Sequence, residues 1–288
     1  MISIIITSYK EPKTIGRAIK SVLNNNIKEE YEIIVVVPDE ATLKEAKKYK
    51  QVKTIKDKGK GKPAALNIAV SEAKGEILIL TDGDVYVGKN SLSQLVNKIK
   101  GPDIGAVSGR PVSINLRNTM LGFWAYILTE IANKRRLKAI KIKKRFFCSG
   151  YLFAIKKKLF PKLPEELLSE DGFISHKVYE SGYKIIYSDR SLVYVKYPSN
   201  FSDWIKQKRR SAGGYKQIKK LIGVEMRSFR KESSGAIELL AFVKNLKNLF
   251  WLFVLFLSRI YLWVLIYKDI GIKNKKHDKI WLRVESTK

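Results

Sequence analysis

Short, uninterrupted apolar runs alternate with amphipathic stretches along the first third of the chain. Residues 2–7, ISIIIT, are apolar and β-branched, and SYKEP breaks them. A helical period follows through Ile15, Ile19, Val22 and Leu23. EIIVVV at 32–37 reads as a second strand, closed by Pro38, and a helix through Leu43 and Ala46 comes next. Residues 52–55 supply a third strand. After the basic loop KDKGKGKP come a helix through Ala65, Leu66 and Ala69 and the strand EILILTDGD. Strands that are apolar on both faces and alternate with helices predict an α/β fold, a mostly parallel sheet flanked by helices. Ligands of such sheets gather beyond the carboxyl ends of the strands. Residues 7–11, Asp39 and residues 82–84 all fall there.

One run has a different character. Residues 249–267 read LFWLFVLFLSRIYLWVLIY. Nineteen residues of helix reach about 28 Å, close to the hydrocarbon thickness of a bilayer. Arg259 sits near the middle, where it costs about 2.5–3.5 kcal/mol, and each Leu, Ile, Phe or Val returns about 0.3–0.6 kcal/mol. The thirteen such residues return roughly 4–8 kcal/mol, so insertion is narrowly favourable. Lysines flank both ends, so charge sets no orientation. A span, a hairpin and a helix lying in the interface all fit. A buried core helix or a dimer helix is the alternative.

Composition narrows the class. The 288 residues hold 56 Lys+Arg against 27 Asp+Glu, a net charge of +29. A hydrophobic share of 45% supports a core and excludes a disordered basic tail. The single cysteine, Cys148, excludes a disulfide framework, and two histidines argue against structural zinc. The basic excess points to an anionic partner: a phosphate-bearing substrate, an anionic membrane surface or nucleic acid. No nucleic-acid partner is expected, because no helix-turn-helix, RNP or zinc pattern is present and the basic runs interleave with aliphatic residues. Residues 132–162 carry twelve Lys/Arg and no acid. The opening MISIIITSYK lacks a basic n-region and a full apolar h-region, which predicts that the bulk of the protein is on the cytoplasmic side.

Four local patterns carry candidate chemistry. Asp82 and Asp84 flank Gly83 at a strand end, where hard carboxylate oxygens suit Mg²⁺ or Mn²⁺; an ordinary acidic turn is the other reading. Lys58, Lys60 and Lys62 interleave with Gly59 and Gly61, either to approach phosphate or as a solvated loop. Glu170 and Asp171 follow Ser169, either as the capped first turn of a helix or as a general base. Gln207 and Arg210 share one helical face, as a diphosphate clamp or as part of a solvated basic helix.

The order of these patterns resembles glycosyltransferase family 2, in its branch with cellulose, chitin and hyaluronan synthases. The resemblance covers about residues 1–215 and rests on TSYKEP, GKPAALN at 61–67, DGD at 82–84, CSGYLFAIKK at 148–157, SED at 169–171 and QKRRS at 207–211. It implies a GT-A, nucleotide-diphospho-sugar transferase fold with Thr7, Tyr9, Glu11 and Asp39 lining the nucleotide pocket. Lys62 would face the diphosphate, Asp82 the ribose and diphosphate, and Asp84 the metal. Asp171, beside Glu170, would be the base, and Gln207 and Arg210 would bind the diphosphate. Two departures stand out. The second strand ends VVVPDEAT rather than in an acidic pair, and Ser211 stands where the family's QxxRW motif has its Trp.

The resemblance implies inverting transfer of a sugar from a nucleoside diphosphate, UDP by preference, with Mg²⁺ or Mn²⁺ as cofactor. A phosphate acceptor has a second pKa of about 6 and needs no base, so a base at Asp171 implies a hydroxyl acceptor. With the apolar carboxyl-terminal part, that acceptor becomes a membrane-associated, lipid-linked glycan. The domain organisation expected is a catalytic domain over 1–215 and a basic, hydrophobic, membrane-associated helical region over 216–288.

Overall fold

Four parallel strands, β1 (Ile2–Thr7), β2 (Tyr31–Val37), β3 (Val52–Lys56) and β4 (Ile77–Asp82), build one half of an eight-stranded sheet. The computed structural model describes residues 1–223, 237–268 and 284–287. The other half contains β5 (Val85–Val87), β6 (Ile104–Ser113), β7 (Leu152–Lys156) and β8 (Lys184–Val195). The sheet order is β3-β2-β1-β4-β7-β6-β8-β5. β7 runs antiparallel to both β4 and β6, and β5 antiparallel to β8, while β6 and β8 are parallel. The sheet is therefore mixed: wholly parallel in the half whose strands are the continuous apolar runs, and with both antiparallel and parallel pairs in the other.

Those runs are apolar on both faces because both faces are covered. Ile2, Ile4 and Ile6 enter a core with Ile33, Val35 and Val37; Ile5, Ile34 and Val36 enter a second core on the opposite face. This is the period-two alternation of a strand buried from both sides. Helix α1 (Ile15–Leu23) turns Ile15, Ile19 and Val22 inward. Helices α2 (Glu40–Ala46) and α3 (Lys62–Glu72) complete the covering of the first half, and α4 (Ser91–Ile99) packs on β6, β7 and β8. α3 opens with Lys62 and Pro63, and Pro is favoured at this point because its missing N–H has no intrahelical role.

A third core lies beside the sheet. Helices α5 (Met120–Lys141), α7 (Phe201–Ile222) and α8 (Leu246–Tyr267) meet there, with α6 (Glu170–Glu180) nearer the strands. Phe123, Trp124, Ile127, Trp204, Leu255 and Leu262 form its centre. Trp124 is fully buried; its ring centroid lies 5.3 Å from that of Trp204, and its Nε1 donates to the Trp251 carbonyl at 2.8 Å. α8 buries one stripe, Leu255, Ser258, Leu262 and Ile266, at helical spacing. Phe250, Phe253, Leu257, Tyr261 and Val264 on its remaining surface are exposed. It is not the fully buried core helix of the alternative reading. Among the described residues it is also the one helix long and apolar enough to cross a membrane. The boundary expected at 215 falls inside α7, a continuous helix that packs on α8.

Candidate active site

The carboxyl ends of β1 and β4 come together first. Thr7 pairs in register with Asp82, and the Gly83 N–H donates to the Thr7 carbonyl at 2.9 Å. A Cβ on Gly83 would stand 2.4 Å from the Ser8 hydroxyl, so the close approach of the two strand ends requires glycine between the two aspartates. Thr7 Oγ1 lies 3.5 Å from Asp82 Oδ1. Ser8 Oγ donates to Glu11 at 3.0 Å, and the Glu11 N–H donates to Thr42 Oγ1 at 2.8 Å, which holds the buried Glu11 beside the strand ends.

Lys62, on the first turn of α3, reaches across this floor. Its Nζ lies 2.6 Å from Asp82 and 2.7 Å from Glu170, and donates to the Gly150 carbonyl at 3.4 Å. Burial alone would lower its pKa, but the charges of Asp82 and Glu170 win and raise it above the usual lysine range. Burial also lifts Asp82 above the usual carboxylate range, with Lys62 holding it back. Asp84 is pushed up to about 6, by burial first and then by Asp82.

Asp171 occupies the first turn of α6 and is held from three directions. Oδ1 accepts from Ser169 Oγ at 2.9 Å and from its neighbour's N–H, that of Gly172, at 2.8 Å; Oδ2 accepts from the Gly150 N–H at 3.1 Å. The Ser169 hydroxyl therefore orients Asp171 and does not cap the helix through a backbone bond, as the sequence had suggested. A Cβ on Gly150 would sit 3.3 Å from Asp171 Oδ2, so the glycine of CSG keeps that edge of the carboxylate approachable. Burial, reinforced by Glu170, raises the Asp171 pKa. α7 braces the loop before α6: the Gln217 amide accepts from the Leu168 N–H and donates to the Glu166 carbonyl, both at 2.8 Å.

These groups line one cavity of about 1960 Å³. Thr7, Tyr9, Glu11, Lys62, Asp82, Asp84, Glu170, Asp171, Gln207 and Arg210 all belong to its wall. Asp39 does not. Its Oδ1 accepts from the Thr42 N–H and hydroxyl, and Oδ2 from the Lys10 N–H, so the side chain caps α2 and fixes the β1 loop. The cavity continues beyond the carboxylates onto apolar residues of α5 and α8, including Leu128, Leu252 and Phe253. Arg135, Arg136 and Arg145 line it there, and so does Arg259 from the middle of the apolar run. The sequence reading missed this wall, which forms only when α8 docks on α5. It also missed Asp57, the acid of the basic loop, which lies in the wall near Pro38.

The carboxylates fit a divalent cation as hard oxygen donors crowded enough to repel one another. Among the described residues, no group of three or more His, Cys, Asp or Glu side chains forms a ready metal cage. Mg²⁺ and Mn²⁺ sites commonly take one or two carboxylates and complete the shell from substrate phosphates and water. Asp84, with Asp82 beside it, matches that pattern.

The family profile of glycosyl transferase family 2 matches residues 3–163, more than half of the chain. The chain belongs to glycosyl transferase family 2. Within the family, it is 27% identical over 236 residues to the probable glycosyltransferase YdaM of Bacillus subtilis, covering 75% of this chain and 56% of that protein. It is 26% identical to a poly-beta-1,6-N-acetyl-D-glucosamine synthase of Staphylococcus epidermidis, covering 75% of this chain and 55% of the synthase. The chain thus spans about half the length of the curated relatives it matches. The GT-A fold is shared with the mannosyltransferase PcManGT from Pyrobaculum calidifontis, solved with GDP-Man and Mn2+ (TM-score 0.61, 17% identity, 97% of this chain and 82% of that chain). S. aureus TarS 1-349, solved with UDP-GlcNAc, is a further neighbour (TM-score 0.52, 20% identity, 72% of this chain and 64% of that chain).

Proposed function

We propose that the protein is an inverting, metal-dependent glycosyltransferase. It moves a sugar from a nucleoside-diphosphate donor, taken as UDP-linked, to a hydroxyl of a membrane-associated, lipid-linked glycan. The observation that carries this reading is the continuity of one cavity, from Asp82, Asp84 and Asp171 to the apolar wall of α5 and α8. The named relatives support sugar transfer, and the neighbours solved with nucleotide sugars and Mn2+ support the donor and the cation.

In the reaction, the acceptor oxygen bonds to the anomeric carbon as the bond to the diphosphate breaks on the opposite side. Asp171 takes the hydroxyl proton on Oδ2, and a positioned base of this kind contributes typically about 10²–10⁴-fold. Lys62 and Arg210 place fixed positive charge where the departing diphosphate gathers negative charge. Asp84, with Asp82, would hold Mg²⁺ or Mn²⁺, which adds charge neutralisation at the same point. No covalent intermediate on the protein is required. The basic residues of α5 and the exposed apolar face of α8 suit an anionic membrane surface, where each Lys or Arg contributes about 1 kcal/mol. The catalytic part would then lie on the cytoplasmic side.

The test is nucleotide release from a panel of nucleotide sugars with Mn²⁺, with and without membrane lipid extract. Release that rises when lipid extract supplies acceptor supports the reading. Nucleotide sugars left intact under every condition would overturn it.

A further inference from the structure

We infer that Asp57 reads the base of the donor nucleotide and selects a base whose pairing edge carries a ring N–H. The inference rests on the nucleotide-sugar reading above and adds a specificity-determining residue to it.

Asp57 is the first residue past β3, pinned there by its N–H on the Val37 carbonyl at 3.1 Å. Its side chain lies in the cavity wall, and the residue is only 8% exposed. Oδ2 accepts from the Gly59 N–H at 3.2 Å. Oδ1 is buried and has no hydrogen-bond partner among the described residues. A buried acceptor left unmade is costly in a native fold. Its partner is therefore sought in what the cavity binds.

Position fits a base. The strand order runs β3, β2, β1, β4, so Asp57 stands three strands from Asp82. At about 4.8 Å between strands, that separation is about 14 Å. An extended nucleoside diphosphate covers such a span between its pairing edge and its phosphates. With phosphates by Lys62 and Asp84, the base falls between Tyr9, Pro38 and Asp57, all of which line the cavity. Glu11, also in the wall, accepts from the Ser8 hydroxyl. Asp39 spends both oxygens on Thr42 and Lys10, and Pro38 offers no polar side chain. The acid expected after β2 is supplied here by β3.

The chemistry then discriminates. An ionised carboxylate only accepts hydrogen bonds. Burial raises the Asp57 pKa above the usual carboxylate value, and the Gly59 N–H on Oδ2 opposes that shift by stabilising the ionised form. Uracil presents N3–H, and guanine N1–H with its amino group, to such an acceptor. Cytosine N3 and adenine N1 are lone pairs at the same place and would face the carboxylate without a proton. A site built to pair one hydrogen bond rejects analogues that lack it, because its own buried group is left unpaired.

The experiment is calorimetric titration of the full chain with UDP, GDP, CDP and ADP in Mn²⁺, for wild type, Asp57→Ala and Asp57→Asn. Wild type should bind UDP or GDP roughly 10- to 100-fold more tightly than CDP and ADP. The tighter of UDP and GDP names the base. Asp57→Ala should lose most of that advantage and leave CDP affinity unchanged. Asp57→Asn, close in shape and a control for folding, should flatten the ranking, since its amide both donates and accepts. A wild type indifferent to base, or variants that keep the wild-type ranking, would overturn the inference while leaving the donor reading in place. Absence of binding for all four nucleotides would overturn both.

Discussion

The Nζ of Lys62 stands 2.6 Å from Oδ1 of Asp82, joining the first turn of α3 to the end of β4. The same ammonium meets Glu170 at 2.7 Å, so one cation fastens three elements around the reaction centre. Lys62→Met should lower transfer at least about 100-fold, as loss of a preorganised charge at a developing anion does. It should also lower the melting temperature, because two partly buried carboxylates lose their counter-charge. Turnover and thermal melts of the variant check both. A variant with wild-type turnover would remove Lys62 from the chemistry.

Asp171→Asn separates binding from catalysis. The amide keeps the size of the side chain but cannot take a proton. The expected loss is about 10²–10⁴-fold in kcat with donor affinity held within a few-fold. A wild-type rate would mean that the acceptor arrives already ionised, as a phosphate does.

Asp84→Ala should abolish transfer and remove the dependence of nucleotide affinity on metal. Titration of UDP and GDP with Mn²⁺ and with chelator measures this. The wild type should bind more weakly in chelator, and the variant should bind equally weakly in both. Unchanged metal dependence in the variant would place the cation elsewhere.

Asp203 predicts an acid-sensitive anchor. Burial opposes its ionisation, but donors from the Ser286 N–H, Lys206, the Ser286 hydroxyl and Asn200 outweigh it and hold the carboxyl well below its usual range. A depressed folded pKa gives stability that is present above the unfolded value, about 3.9, and lost as pH falls towards the folded value. Asp203→Asn should therefore cost about 1–3 kcal/mol near pH 7. The gap to wild type should close progressively below about pH 4. Chemical denaturation at several pH values checks the sign.

Product length turns on α7. Ser211 lines the cavity where the family's Trp would offer a sugar-stacking face. Trp204, a potential substitute, is only 4% exposed and packs on Trp124 and Phe201. Tyr215 lines the wall one helical turn further on. One or a few sugars per acceptor are expected. Mass spectrometry at large donor excess decides: a ladder to tens of sugars beside unextended acceptor would show a processive synthase.

The parallel half of the sheet was legible because its strands are continuous apolar runs bounded by Pro, Gly and charge. So was the strand-end placement of Asp82 and Asp84. Asp39 was read as a pocket residue from its strand-end position and from the family resemblance. The threonine three residues on, Thr42, was the sign of a helix cap that consumes its carboxylate. The antiparallel entry of β7 between β4 and β6 was not legible, since that pairing joins segments far apart in sequence. Nor was the bridge from Lys62 to Glu170, which depends on α7 bracing the loop before α6. Arg259 looked like a penalty to insertion in a greasy helix. The fold gives it a place in the wall of the same cavity as Asp82, Asp84 and Asp171.

That placement has a kinetic consequence. On the proposed reading, the helix whose exposed aromatics face lipid also forms part of the reaction chamber, so the chamber is held at one fixed height above the bilayer. An acceptor anchored in the same bilayer approaches by lateral diffusion, in two dimensions. Its effective concentration is its mole fraction in the lipid, not its amount per volume of solution. Diluting the acceptor with inert lipid should slow the enzyme, while diluting the whole suspension with buffer at saturating donor should leave turnover per enzyme unchanged.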